Sequence, residues 1–242
     1  MTAVGFLDLP QPLFDFVDGT VLGSLPPLVR LILWAIAAAI LSLAVYRWLS
    51  PQQRIAGAKA AAHAARRRLN AHDGDLESAL PLMRQSMALA LRHVGLVLPA
   101  ALVASLPVLA LLVWLDGAYG HVLPDPALAP AIAVEPDTYT ARWQPDGAAG
   151  RIQVQDQHGA QVAQVMLAKA VTRIEKRHWW NAVVGNPAGY LPARGPIEGV
   201  TIALPERQYI PVGPDWLRSW FVVAFAALLI TSILLMRVAR IA

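Results

Sequence analysis

The residue types that carry out catalysis are present in this 242-residue sequence, but no familiar spacing joins them. The six histidines are scattered, with no pair at i and i+4, and there is no glycine-rich phosphate loop and no G-x-S-x-G motif. Cysteine is absent, which excludes disulfides, thiol chemistry and Cys-ligated zinc. The sequence therefore predicts no enzyme, no cofactor and no metal site.

Single polar residues inside very apolar runs suggest a different kind of chemistry. Arg30 lies in "LVRLILWAIAAAIL", and a charge in hydrocarbon is costly enough that it tends to mark function. Its side chain could extend to the lipid headgroups or point into a water-filled cavity between helices. Other polar residues could line the same cavity, or each could bond its own helix backbone. These residues are Ser42, Ser105, Thr231 and Ser232.

Tryptophan residues flanked by positive charge form a second group. Trp179 and Trp180 follow His178 and a basic stretch, a pattern typical of a segment that lies on lipid headgroups. A substrate-binding role is the alternative. Trp216 and Trp220 open the last apolar run, and we expect them at the membrane interface as well.

The elements that must position these residues are membrane spans. The chain is 56% hydrophobic and 15% charged, and three segments reach the roughly 20 apolar residues that a span requires. We predict transmembrane helices at 28–48, 94–115 and 216–236. They leave an N-terminal segment (1–27), a first connection (49–93), a long second connection (116–215) and a short tail (237–242).

Charge predicts the orientation of these spans. The connection between the first two spans carries more basic than acidic residues, the N-terminal segment is only acidic, and the long connection is nearly balanced. Short basic flanks stay in the cytoplasm. We therefore expect the N-terminus outside and the C-terminus inside, with lipid rather than DNA as the partner of the excess positive charge.

The first connection predicts a helical hairpin. Residues 51–70 are Ala-rich with helical spacing, and Asp75 is a helix N-cap candidate before a second helix that continues into the second span. A plain solvated connector is the alternative interpretation. In the long connection, residues 116–146 favour an extended linker or an irregular wrap. From 148 onward, alternating stretches such as "RIQVQ" and "QVAQVML" predict strands. The expected fold class is mainly α, with three transmembrane helices, a cytoplasmic antiparallel helical hairpin and a small extracytoplasmic β-rich domain.

This order of parts resembles the YidC/Oxa superfamily of membrane protein insertases. The likeness is carried by the hairpin stretch "DGDLESALPLMRQSMALAL", its fusion to "LVLPAALVASLPVLALLVWL", and "PVGPDWLRSWFVVAF" at the last span. It covers roughly half the chain and is greatest for the three-span branch, which includes archaeal YidC-like proteins and the third subunit of the ER membrane complex. The large outer segment departs from that branch.

The resemblance implies an ATP-independent insertase or chaperone that moves short polar segments of clients through a hydrophilic groove. Arg30 would attract acidic client residues, and Arg47 would lie at the cytoplasmic mouth. Clients, newly made membrane proteins or the ribosome would meet the hairpin at a set of basic and thioether side chains: Arg66, Arg67, Arg68, Met83 and Met87. The methionines could equally pack within the hairpin.

A second hypothesis is a non-catalytic scaffold subunit of a larger envelope complex that docks through its outer domain. A sensor is a third, weakened by the lack of an output domain. The Ala- and Arg-rich, Cys-free composition suggests a high-GC bacterium, and hence the bacterial inner membrane.

Overall fold

The computed structural model describes residues 5–124, 128–146, 149–167 and 169–239. Most of these residues are helical, and three helices are long and apolar enough to cross a membrane. The chain thus has the architecture expected of a multi-pass membrane protein, combined with small antiparallel sheets. The predicted tail, 237–242, lies partly outside the described residues.

Five α-helices lie within the described residues. They are α1 (Gln11–Phe16), α2 (Pro27–Leu49), α3 (Gln52–Asn70), α4 (Leu76–Leu115) and α5 (Trp220–Ala239).

Proline residues mark both ends of α2, and α4 is longer than a single membrane span requires. Pro27 opens α2, where its fixed φ suits the first turn. The last helical bond of α2 runs from the amide of Ser50 to the carbonyl of Tyr46 at 2.8 Å, and Pro51 has no amide hydrogen to continue the ladder. The 40 residues of α4 span about 60 Å, about twice the thickness of the hydrocarbon core. One membrane span therefore accounts for only about half of the length of α4.

The turn between α3 and α4 is held by local hydrogen bonds. The Ser78 hydroxyl donates to the carbonyl of Asp75 at 2.8 Å, and the amide of Ala79 donates to the same carbonyl at 3.1 Å. The His72 ring lies 2.8 Å from the Ser78 hydroxyl. α4 then continues without interruption from Leu76 to Leu115, past three prolines.

The chain divides into two compact units. One comprises residues 1–35 and 109–227, and the other comprises residues 36–108 and 228–242. The long helices contribute to both units, since each crosses a boundary between them. The β strands and the N-terminal segment belong to the first unit, and α3 belongs to the second.

Two three-stranded antiparallel sheets make up the β domain. The first sheet has the order β1-β6-β5 and the second has the order β2-β3-β4. Their strands are β1 (Ile132–Glu135), β2 (Thr140–Asp146), β3 (Ala149–Gln155), β4 (Gln161–Leu167), β5 (Arg173–Glu175) and β6 (Gly199–Ile202).

One hydrophobic core joins the two sheets. Val134, Ile174 and Val200 of the first sheet and Ile152 and Leu167 of the second belong to the same buried cluster. Burial of alternate positions is what a strand with one face on a core requires. The β domain is thus a small two-layer structure with an ordinary apolar interior.

The predicted hairpin formed by "RIQVQ" and "QVAQVML" is present as β3 and β4. In its turn, the Asp156 carboxylate accepts bonds from the amides of His158 and Ala160 at 2.9 and 2.8 Å. Gly159 has a φ of +81°, which glycine adopts without the steric cost that a side chain adds. Local turn chemistry therefore explains why this pair could be found from the sequence.

The prediction of an extended linker over residues 116–146 is wrong for its second half, because β1 and β2 lie there. The Pro-rich composition of this region obscured the alternating pattern that predicts strands. Pro145 is in β2, an edge strand of its sheet, where a missing amide hydrogen is tolerated. Val134 of β1 pairs with Val200 of β6, which is 66 residues further along the chain, so only the tertiary fold recruits that strand.

Candidate functional site

The N-terminal segment reverses direction just before α2. It contains a 3-10 turn (Phe6–Asp8), α1 and a five-residue π-helical turn (Val17–Val21). The amide of Leu25 then donates to the carbonyl of Leu22 at 2.9 Å, immediately before the two prolines that start α2. This reversal brings the segment alongside the first turns of α2.

Asp18 is the centre of the contacts that result. Its Oδ1 accepts a bond from Arg30 Nε at 3.1 Å and one from Trp34 Nε1 at 3.0 Å, and Arg30 Nη2 pairs with Oδ2. The hydroxyl of Tyr119 also donates to Oδ1. The exposed fractions of the Arg30 and Asp18 side chains are 20% and 12%. We call Asp18, Arg30, Trp34 and Tyr119 the Asp18 site.

Aromatic rings enclose the Asp18 site on the side toward the helices. Trp34 packs edge-on against Trp114 with ring centroids 5.1 Å apart, and Phe14 packs against both at 5.2 and 5.4 Å. The Tyr119 ring lies 5.8 Å from the centroid of Trp114. Such tilted pairs place ring edges against ring faces, the arrangement that aromatic quadrupoles favour.

The Arg30 guanidinium also contacts the aromatic cluster. Its central carbon lies 5.8 Å from the centroid of the Tyr119 ring, within cation–π range. Tyr209 holds the backbone of Tyr119, since its hydroxyl donates to the Tyr119 carbonyl at 2.8 Å. Burial raises the pKa of Tyr209, so this hydroxyl keeps its proton throughout the neutral pH range.

A second carboxylate of the same segment ties it to the β domain. Asp15 accepts a bond from Trp114 Nε1 at 2.7 Å and forms an ion pair with Lys169 Nζ at 2.9 Å. The Lys169 pair is partly open to solvent, so its own contribution to stability is small. Its position nevertheless links residues 154 apart in sequence.

The electrostatics of the Asp18 site define what it can do. A partly buried carboxylate and guanidinium would each be costly alone, and here each cancels the charge of the other while further donors satisfy the carboxylate. Arg30 uses two of its nitrogens on Asp18, one of them also toward the Asp18 carbonyl at 3.1 Å. The site therefore holds the N-terminal segment against α2 and against the π-helical turn (Asp116–Gly120) that follows α4, with its charge already compensated.

The sequence left two positions open for Arg30, the lipid headgroups or a water-filled cavity, and both stay predictions. The structure adds a partner for Arg30, the carboxylate of Asp18. Its partner, Asp18, comes from the segment whose acidic residues had been interpreted only as markers of orientation. The role of Arg30 in attracting acidic clients stays a prediction.

The polar candidates of the second unit make contacts of their own. The Ser42 hydroxyl donates to the carbonyl of Ala104 at 2.6 Å and so joins α2 to α4. The Ser105 hydroxyl donates to the Leu102 carbonyl of its own helix at 2.7 Å. Thr231 and Ser232 are half-buried in α5.

Small buried residues surround the Ser42 contact. On α2, Ala38 and Ala39 are 6% and 2% exposed, and on α4, Ala100 and Ala104 are 7% and 4% exposed. Small side chains let two membrane helices approach closely, and a side-chain hydrogen bond between them adds to that packing. The hydrogen bond from Ser42 to Ala104 therefore joins α2 to α4 at a level where both helices carry small buried residues.

The predicted client contacts lie on exposed surface. Met83 and Met87 on α4 have exposed fractions of 47% and 65%. The basic residues proposed for the hairpin and the cytoplasmic mouth are exposed too: Arg47, Arg66, Arg67 and Arg68.

The predicted interface tryptophans divide into two kinds. Trp179 and Trp216 have exposed fractions of 87% and 69%, and Trp180 is 43% exposed. Trp220 is half-buried at the start of α5, where its ring packs beside Gly120. Three of the four thus present an aromatic surface to the surroundings.

The sequence interpretation missed Asp15, Asp18, Trp34 and Tyr119 as site residues. A signal was available, because Asp15 and Asp18 are three apart in an apolar segment and Arg30 and Trp34 are four apart on one helix face. No local sequence pattern could show that the segment with these two carboxylates packs against this face of α2.

Other features of the described residues offer less chemistry. Among residues 5–124, 128–146, 149–167 and 169–239, no group of three His, Asp or Glu side chains could hold a metal ion. A cavity of about 500 Å³ lies between the end of α4, the start of α5 and loops of the β domain. Its one arginine, Arg173, already pairs with Glu135 and Glu175.

The class that fold and site define is a multi-pass membrane protein whose N-terminal segment is joined to α2, the first helix long enough to cross a membrane, by an internal ion pair. Compared with models of known protein families, with curated proteins and with solved structures, the chain gives no significant match.

Proposed function

We propose that this chain is a non-catalytic scaffold subunit of a larger envelope complex in the bacterial inner membrane. In this proposal, the spans form a packed anchor, and the β domain, held to the anchor by the N-terminal segment, is the docking surface. The N-terminus faces outward and the C-terminus faces the cytoplasm, as the distribution of basic residues indicates.

The ion pair between Arg30 and Asp18 is the observation that carries this proposal. A groove that passes polar segments works by offering water or uncompensated charge inside the membrane, so that the barrier of a few kcal/mol per polar residue falls. Arg30 has no such charge to offer, because Asp18 neutralises it. The contact between Ser42 and Ala104 supports the same conclusion, since the hydroxyl is used between helices.

Aqueous accessibility tests the proposal directly. Single cysteines at Ser42, Ser105 and Thr231 can be introduced into this Cys-free chain and exposed to a membrane-impermeant maleimide in inverted inner-membrane vesicles. A scaffold with packed spans should leave all three unlabelled. Labelling of two or more would establish a cytoplasm-open cavity and overturn the scaffold proposal.

Two control positions calibrate that experiment and test the orientation. Ala71 lies in the exposed turn between α3 and α4, and His158 lies in the exposed β3–β4 turn. A cysteine at Ala71 should react in inverted vesicles, and one at His158 should react only in intact spheroplasts. The reverse pattern would contradict the proposed orientation.

The second candidate function is the YidC-like insertase, and one observation favours it. The first half of α4 presents an unbroken apolar stripe in which Leu80, Met83, Met87 and Leu91 are 43%, 47%, 65% and 64% exposed. Flexible thioethers suit contacts with varied apolar clients. The stripe lies on the part of α4 that precedes the predicted second span, where newly made membrane proteins would arrive.

Site-specific photocrosslinking separates the two functions. A photoreactive residue at Met87 should capture ribosome-bound nascent membrane proteins if the chain is an insertase, and the same probe at Arg66 on α3 serves as a surface control. Reconstitution completes the test. The scaffold proposal expects proteoliposomes containing this chain to insert a short polar-tailed client no faster than protein-free liposomes.

A further inference from the structure

The N-terminal segment carries an apolar stripe on its outer side. Phe6, Leu9, Leu13 and Phe16 are spaced three, four and three residues apart, which places them on one face of a helical segment. Their exposed fractions are 58%, 65%, 61% and 64%. We call these four residues the N-terminal stripe.

The opposite side of the same segment is polar and directed inward. Asp8 is 6% exposed and accepts bonds from Gly5 N at 2.9 Å and Gln11 Nε2 at 2.8 Å. Asp18 as a whole residue is 8% exposed and pairs with Arg30. Asp15 binds Trp114 and Lys169, although 47% of its side chain remains exposed. The segment is amphipathic, with the buried carboxylates of Asp8 and Asp18 on one side and the N-terminal stripe on the other. Two further apolar side chains, Leu7 and Phe14, pack toward the protein.

The start of the segment is also joined to the exposed tryptophan loop of the β domain. The amide of Leu7 donates to the Val183 carbonyl at 2.9 Å, and the amide of Gly185 donates to the Asp8 carboxylate at 2.5 Å. Trp179 and Val183 in this loop have exposed fractions of 87% and 48%. The N-terminal stripe thus neighbours a second apolar surface.

We propose that residues 5–21 lie in the membrane as a half-inserted wedge, with the N-terminal stripe against lipid acyl chains in the leaflet that adjoins the start of α2. The occupant of this face is lipid because the segment is continuous with a membrane-spanning helix through a short turn. Phe14 contacts Trp34, seven residues into α2, which corresponds to about 10 Å below the start of that helix.

Inward pairing of the carboxylates is what makes that position physically possible. An unpaired carboxylate at such depth would be strongly disfavoured, whereas Asp18 has its charge compensated by Arg30. The outer face then presents mostly apolar side chains, as a segment buried at the headgroup and acyl boundary does. The ion pair therefore compensates the charge on the protein-facing side of the segment, and the N-terminal stripe forms its lipid-facing side.

Depth-dependent quenching tests the proposal. Single cysteines at Leu13 and Phe16 are labelled with a nitrobenzoxadiazole fluorophore in nanodiscs that hold one copy of the full chain, so that lipid alone can cover the stripe. Brominated phospholipids should quench both probes at least half as strongly as they quench a probe at Leu229, an exposed apolar position in α5. Iodide should quench them weakly.

His158 in the β3–β4 turn provides the water-exposed reference. The proposal is overturned if probes at Leu13 and Phe16 behave like the His158 probe, with strong iodide quenching and little quenching by brominated lipid. That result would indicate that a protein partner, rather than lipid, covers the N-terminal stripe. Because all substituted positions are exposed, size-exclusion profiles of the labelled proteins should match that of the unsubstituted chain.

Discussion

The β domain and the N-terminal segment bury side chains in opposite senses. In the β domain, Ile152 and Val200 are fully buried and the charged residues lie outside. In the N-terminal segment, Asp8 and Asp18 are buried while Leu13 and Phe16 are exposed. The two belong to one compact unit, so the difference reflects what surrounds each of them. The β domain has the burial pattern of a domain in water, and the N-terminal segment has the pattern that we propose for a segment in contact with lipid.

Removing one charge of the buried pair should have the largest effect. Arg30→Gln leaves Asp18 without its counter-charge and should lower the free energy of unfolding by about 3–5 kcal/mol. The measurement is reversible unfolding in mixed detergent micelles. The double variant Arg30→Gln with Asp18→Asn should recover much of the loss, since no uncompensated charge remains. An equal loss in both variants would contradict the assignment of a compensated pair.

Truncation in the β core should come next. Ile152→Ala removes a fully buried side chain and should lower the free energy of unfolding by about 2–5 kcal/mol. Thermal unfolding of the purified protein measures this loss. Met166→Ala on the neighbouring strand is the matched control, because Met166 is 51% exposed. If the two variants lose similar stability, the core described for the β domain is incorrect.

The contact between α2 and α4 should show a smaller effect. Ser42→Ala removes the donor to the Ala104 carbonyl and should cost about 0.6 kcal/mol, the average measured for side-chain hydrogen bonds between membrane helices. Ser105→Ala, whose hydroxyl bonds only its own helix, should change the stability less. A larger loss for Ser105→Ala would reverse the assignment of these two hydroxyls.

The smallest effect is expected at the partly exposed ion pair between Asp15 and Lys169. Lys169→Ala removes the ion pair with Asp15 and should cost less than about 1 kcal/mol. The loss should shrink further when the unfolding measurement is repeated in high salt, because exposed pairs are screened. An effect as large as that of Arg30→Gln would mean that Asp15, rather than Asp18, holds the segment.

Regular patterns explain which elements could be predicted. Long apolar runs gave the three membrane-length helices, and alternation with a turn-forming Asp and Gly gave the β3–β4 hairpin. β1 was missed because its partner, β6, is distant in the chain. β2 pairs with the neighbouring β3, but the Pro-rich surroundings of β2 obscure its pattern. Pro145 is acceptable only because β2 is an edge strand, a fact that pairing alone establishes.

The sequence by itself determined that this protein has three helices able to cross a membrane, a helical connection between the first two and a small sheet-bearing domain before the third. Those features follow from local periodicity. The Asp18 site was decided only by the tertiary structure, because Tyr119 is 101 residues from Asp18 and Trp114 is 99 residues from Asp15. Hydrophobicity shows that Arg30 needs a partner, but only the reversal before Pro27 determines which carboxylate provides it.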